Sequence, residues 1–130
     1  MAASRTILLI DDDSVLTELY RAKFEGAGYA VVICHNGKKG FDALRNGLQP
    51  DVIVLDLMMP VMDGLTFLQE AAYKLRLPPV IVMTSQEEDA KKLDALLHGA
   101  HAYVIKARVT PKDLLEEIRL LLMSKESKKV

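Results

Sequence analysis

Four short stretches of this chain carry groups able to do chemistry together, and each closes a short apolar run. They are Asp11-Asp12-Asp13, Asp56, Thr84-Ser85 and Lys106. Carboxylates gathered in one crevice repel one another unless a cation sits among them. A hard, oxygen-seeking ion such as Mg²⁺ (or Mn²⁺) suits them, because it takes one or two carboxylates, keeps some water and bridges to phosphate oxygens. A hydroxyl (Thr84) and an ammonium (Lys106) facing that ion would hold further phosphoryl oxygens. The set describes phosphoryl transfer with a carboxylate as candidate nucleophile. The plainer account of any one of these residues is local: acids after a strand often only cap the next helix, and Asp13 or Ser14 has that option. It does not account for Asp, Asp, Thr and Lys at the ends of four different runs.

The groups meet only if the elements beneath them bring them to one edge. Five apolar runs stand out: 6–10, 30–34, 52–55, 80–83 and 102–105. They are rich in Val, Ile and Leu without clean polar alternation, which predicts parallel strands buried on both faces. Helical stretches separate them, so each strand-plus-helix unit repeats a βα pattern. Ser85-Gln-Glu-Glu88 and Thr110-Pro-Lys-Asp113 are capping boxes, the second with Pro111 at the first helical position. Asn36-Gly37 and Asp63-Gly64 offer cap chemistry before two further helices, and Gly26-x-Gly28 and Gly99 stand where helices should stop. The last helix carries Leu114, Ile118, Leu121 and Leu122 on one side and Asp113, Glu116, Glu117 and Arg119 on the other. The expected fold is a doubly wound (βα)5 α/β domain with a five-stranded parallel sheet in the order 2-1-3-4-5. In such sheets ligands bind at the carboxyl ends of the strands, beside the switch point between strands 1 and 3.

Four segments then carry a resemblance: Ile7-Leu-Leu-Ile-Asp-Asp-Asp13, Val52-Ile-Val-Leu-Asp-Leu-Met-Met-Pro-Val-Met-Asp-Gly64, Val80-Ile-Val-Met-Thr-Ser85 and Gly99-Ala-His-Ala-Tyr-Val-Ile-Lys106. The chain resembles the receiver domain of two-component response regulators, of the single-domain chemotaxis type, from Arg5 to about Met123. The resemblance implies that Asp56 is the phosphoacceptor, supplied by a sensor histidine kinase, a phosphotransfer protein or a small phosphodonor. It implies Asp12 as a direct Mg²⁺ ligand, Asp11 as one chiefly through water, and the backbone carbonyl of Met58 as the third. Lys106 would pair with Asp56 and then with the phosphate, Thr84 would bond a phosphoryl oxygen, and Tyr103 would be the rotameric switch aromatic. The output would be a changed surface on the fourth helix, fifth strand and fifth helix, read by a downstream protein. The chain departs from the family at Ala107, where a proline preceded by a cis bond is usual. A cis bond before a non-proline costs about 2.5–4 kcal/mol, so a trans bond and a rearranged loop are expected. Met58 and Gln86 occupy the two positions that tune phosphoryl lifetime in the family. A lifetime longer than the fast chemotaxis type is expected.

Composition bounds the remaining readings. The 130 residues, half of them hydrophobic and 27% charged, suit one domain, with a core of about 5–123 and a short polar tail over 124–130. Seventeen basic against eighteen acidic residues leave a formal charge of −1, without the basic surplus of a nucleic-acid binder. No apolar run is long enough to span a bilayer, and the start lacks a signal-peptide layout. A single cysteine, Cys34, suits a reducing cytoplasm and reads as an inert core thiol. His98 and His101 have a metal-like spacing but no partner cluster. Met58, Met59 and Met62 flank the acidic site, and apolar Leu120–Met123 permit a phosphorylation-dependent dimer. Two alternatives stand beside the receiver reading: a pseudo-receiver that binds a partner without phosphorylation, which only Ala107 favours, and an aspartyl-phosphate phosphatase, whose usual motif and cap domain are missing.

Overall fold

A computed structural model describes residues 4–85, 94–96 and 98–127 of the chain. Five strands, β1 (Thr6–Ile10), β2 (Ala30–Cys34), β3 (Val52–Leu55), β4 (Val80–Thr84) and β5 (Ala102–Ile105), form one parallel sheet in the order β2-β1-β3-β4-β5. Between them run α1 (Ser14–Gly26), α2 (Gly37–Arg45) and α3 (Gly64–Lys74), and after them the C-terminal helix (Pro111–Ser127). Residues 94–96, between β4 and β5 in the chain, are also helical. The expected capping box Ser85-Gln-Glu-Glu88 lies, beyond Ser85, outside the described residues. The C-terminal helix continues to Ser127, so it takes in residues 124–127 of the polar tail, a stretch with no Gly or Pro to stop it.

The apolar runs lack alternation because the sheet has a core on each face. On one side Leu8, Ile10, Ile53, Leu55, Val80 and Val82 meet Phe67, Leu68 and Ala71 of α3, with Ala95 in the same layer. On the other, Ile7, Leu9, Val52, Val54, Ile81 and Met83 meet Tyr20 and Phe24 of α1 and Leu114, Ile118 and Leu122 of the C-terminal helix. Successive strand residues therefore serve opposite layers. Burial on both faces holds for β3 and β4, which are buried throughout, and not for the outermost strands: β5 is half-buried along its length and Ala30 of β2 is exposed. An edge strand has a neighbour on one side only, so its side chains are less covered. Leu121, expected in the core, is only partly covered beside the second layer.

The starts of α1, α2, α3 and the C-terminal helix lie at the carboxyl edge of the sheet and are each fixed by a side-chain cap. Asp13 accepts from the Val15 and Leu16 N–H groups at 3.1 and 3.0 Å, Asn36 from Lys39 N–H at 2.8 Å, and Asp63 from Thr66 N–H at 2.8 Å. Thr110 and Asp113 close a reciprocal box: Asp113 N–H donates to Thr110 Oγ1 at 3.1 Å and Thr110 N–H to Asp113 Oδ2 at 3.0 Å. Among the described residues no helix is long and apolar enough to cross a membrane.

Candidate functional site

The order β2-β1-β3-β4-β5 sets the ends of β1, β3, β4 and β5 side by side, and the predicted residues arrive there together. Asp11 leaves β1 with 1% of its surface exposed, Asp56 leaves β3 with 5%, and Thr84 ends β4 fully buried. Asp12, next to Asp11, is exposed. One carboxylate oxygen from each of Asp11, Asp12 and Asp56 lies within 4.8 Å of the others, which is a set of hard donors that fits a divalent cation.

Lys106 closes the cluster from β5. Its Nζ donates to Asp56 Oδ2 at 3.2 Å and lies 2.7 Å from Asp11 Oδ2. The second contact is the shorter, an ion pair between the ammonium and a carboxylate that is almost fully buried. The remaining oxygens are used by backbone: Asp11 Oδ1 accepts from Asp13 N–H at 3.0 Å and Asp56 Oδ1 from Met58 N–H at 3.2 Å. Burial pushes the Asp56 carboxyl above its ordinary range, and the Asp11 charge adds to this, while Lys106 and the Met58 N–H oppose it. For Lys106, burial works against the charge, but the Asp11 carboxylate beside it, with Asp56, holds the ammonium above its ordinary range. The site is thus a buried anionic pair clasped by one cation, with a third acid open to solvent.

The loop after β3 is pressed against the site. Gly64 N–H donates to Leu57 carbonyl at 2.9 Å, and a Cβ at Gly64 would lie 2.7 Å from Leu57 Cα and closer still to the Asp56 carbonyl oxygen. Across the loop, Gly37 N–H donates to the Met62 carbonyl at 3.1 Å and ties α2 to the same segment. Met58 is half exposed. Tyr103 sits in β5 opposite Val82 of β4, half-buried against the first core layer. Lys106–Arg108 form a single 3₁₀ turn, with Ala107 at its centre and a trans bond at Lys106–Ala107. Gln86 lies outside the described residues.

Two contacts at this edge were not foreseen. One is the division of Lys106 between Asp11 and Asp56, which depends on side-chain reach. The other is His35, whose Nδ1 meets the Asp11 carbonyl oxygen at 3.1 Å; its place one residue after β2 was the available signal. The other histidines serve backbone: His98 Nδ1 lies 2.8 Å from the Asp94 carbonyl oxygen, and His101 Nδ1 accepts from Val80 N–H at 3.1 Å. Among the described residues the acidic triad is the one cluster suited to a metal. Cys34 is buried, and burial pushes its thiol up against the opposing charge of Lys39.

A doubly wound sheet with paired acids after β1, an acid after β3, a hydroxyl after β4 and a lysine after β5 defines a class. The response regulator receiver domain family matches residues 7–119, and the chain belongs to it. The chain is accordingly a receiver domain of two-component response regulators, a signalling protein. It is 37% identical over 118 residues to the DNA-binding dual master transcriptional regulator RpaA of Synechocystis, covering 89% of this chain and 48% of that protein. To the transcriptional regulatory protein CpxR of Escherichia coli K12 it is 33% identical over 116 residues, covering 89% of this chain and 48% of that one. The chain therefore spans about half the length of these curated relatives. Among solved structures, a CheY-like response regulator receiver domain protein from Methanospirillum hungatei JF-1 superposes with a TM-score of 0.90 at 28% identity, covering 97% of this chain and 99% of that one. The Francisella response regulator 1452 receiver domain gives 0.86 at 26% identity, covering 94% and 99%.

Proposed function

We propose that Asp56 is the phosphoacceptor of this receiver. The observation that carries the reading is the meeting of Asp11, Asp12 and Asp56 within 4.8 Å with the Lys106 ammonium 3.2 Å from Asp56. An Asp56 carboxylate oxygen bonds to phosphorus, and the bond from phosphorus to the donor breaks with its electron pair leaving on the donor. The donor is the phosphohistidine of a sensor kinase or phosphotransfer protein, or a small acyl phosphate. Asp11, Asp12 and the Met58 carbonyl are the ligands proposed for Mg²⁺ (or Mn²⁺), which when bound supplies positive charge to the phosphoryl oxygens. Lys106 holds Asp56 before transfer and a phosphoryl oxygen after it. Thr84 donates to another phosphoryl oxygen, and Tyr103 follows the movement of Thr84, so a local charge biases a two-state surface for a downstream protein. Met58 and Gln86 set the lifetime of the phosphoryl group, and Ala107 shapes the loop that carries Lys106.

The domain works in this reading as one unit with its core over about 5–123, in the cytoplasm, and its only chemistry is its own phosphorylation and dephosphorylation. The apolar Leu120–Met123 segment of the C-terminal helix permits, without requiring, a phosphorylation-dependent dimer. The test is an intact mass spectrum after incubation with Mg²⁺ and a small acyl phosphate. A single phosphoryl adduct is expected on the native chain and not on Asp56→Asn or in the metal-free sample. An adduct of equal yield on Asp56→Asn, or one indifferent to divalent metal, overturns the assignment.

A further inference from the structure

We propose that His35 is a positioning residue for the acidic cluster, holding the Asp11–Asp12 peptide in the orientation that sets the Asp12 carboxylate beside those of Asp11 and Asp56. The proposal rests on the reading of Asp11, Asp12 and Asp56 as a divalent-cation site.

The three acids are held in different ways. Asp11 is fixed at its side chain by Asp13 N–H and by the Lys106 charge, and Asp56 by Met58 N–H and Lys106. Asp12 has no hydrogen-bond or ion-pair partner among the described residues. With no such partner to hold the side chain, the backbone sets the point and direction from which it leaves the chain. That backbone is gripped from the end of β2: Asp11 N–H donates to the Cys34 carbonyl at 3.1 Å, and the Asp11 carbonyl meets His35 Nδ1 at 3.1 Å. The Asp11 carbonyl and the Asp12 N–H share one rigid peptide plane. Fixing that carbonyl sets the Asp11 ψ angle and the direction in which the chain enters Asp12.

A carbonyl oxygen only accepts, so Nδ1 must carry the hydrogen. The imidazole is exposed, which leaves Nε2 to water. Asn offers a donor at the same distance along the side chain, whereas Ala offers none.

The experiment is a Mg²⁺ titration of the unphosphorylated protein, followed by the amide shifts of residues 11–13 and 56–58. It is run on the native chain, His35→Ala and His35→Asn, with thermal midpoints taken alongside. His35→Ala is expected to weaken Mg²⁺ binding about 3- to 10-fold, the range one net hydrogen bond confers. His35→Asn is expected to stay within about twofold of native, on the same ground. A long-range ¹⁵N spectrum of the native imidazole at mildly alkaline pH should show the hydrogen on Nδ1. Native affinity in His35→Ala, equal weakening in both variants, or a hydrogen on Nε2 overturns this proposal alone. Absence of any Mg²⁺-dependent shift in the native chain overturns the cation-site reading and this proposal with it.

Discussion

Replacing Gly64 by Ala should damage the site and the fold together, because no side chain stands between this glycine and the Asp56–Leu57 backbone. An added Cβ would lie 2.7 Å from Leu57 Cα, 3.0 Å from the Asp56 carbonyl carbon and nearer still to the Asp56 oxygen. All three are backbone atoms, so no rotamer change relieves the overlap; either β3 or the start of α3 has to shift. Overpacking of this kind costs about 1–3 kcal/mol. Moving α3 also strains the Gly64 N–H bond to Leu57 and displaces Phe67 and Leu68, which are fully buried. A gain in helix propensity on leaving glycine returns at most about 1 kcal/mol. The net loss should be about 1–2 kcal/mol, the overpacking cost less the propensity gain. For a domain of this length it corresponds to a fall of about 3–10 °C in the thermal midpoint.

The assay is thermal and urea unfolding of Gly64→Ala beside Gly26→Ala. A Cβ at Gly26 meets nothing within 4 Å, and that residue is the last of α1. The control should be neutral or up to about 1 kcal/mol more stable, through the reduced freedom of the unfolded chain. Gly64→Ala should also slow formation of the phosphoryl adduct, since the displaced segment carries Asp56 and Met58. Equal stability of the two variants would refute the claim that close approach at Gly64 fixes the loop.

Three further outcomes follow from the same geometry. The Asp56 carboxyl is held above its ordinary value of 3.8, so between that value and the folded one the native state binds the extra proton and stability falls as pH rises. In metal-free buffer Asp56→Asn should remove that fall. Its stability advantage should be largest at neutral pH and shrink as pH drops below 3.8, and a variant less stable than native at neutral pH would contradict the sign. Thr110→Ala opens the capping box of the C-terminal helix and should cost about 1 kcal/mol in urea unfolding; an unchanged midpoint would count against the box as a support. Cys34, buried with its thiol pushed up, should react slowly with a thiol reagent in the native protein and fully in denaturant, and rapid native labelling would contradict its burial.

Much of this molecule was legible because its signals are local. Unalternated runs of Val, Ile and Leu mark strands covered on both sides, and four of the five appear with the limits read from the sequence, while β4 runs one residue further to Thr84. Asp13, Asn36, Asp63 and the Thr110–Asp113 box cap the helices they precede. Given those elements, the doubly wound order alone brings Asp11, Asp56, Thr84 and Lys106 to one edge. What stayed illegible depends on contacts between distant segments. That Lys106 lies nearer Asp11 than Asp56 is a matter of angström-scale reach. That β2 and β5 are less covered follows from their place in the sheet and not from their residue types.

Val61 shows why local rules stop at such a site. A β-branched residue strongly disfavours positive φ, yet Val61 has φ 71°, with Met62 N–H donating to the Pro60 carbonyl at 2.8 Å across it. This is a three-residue turn of the rarer, strained hand. Nothing in Pro-Val-Met asks for it. Its stabilisation comes from outside the turn: the Met62 carbonyl so presented is bonded by Gly37 N–H from the start of α2. Gly37 is also the residue whose missing side chain lets the two segments touch, since a Cβ there would overlap the Met62 carbonyl. The strain at Val61 and the glycine at 37 are therefore one arrangement, which ties the segment after Asp56 to the start of α2. Strain of this kind persists where tertiary contacts over-determine the backbone, and here it stands five residues from the proposed phosphoacceptor.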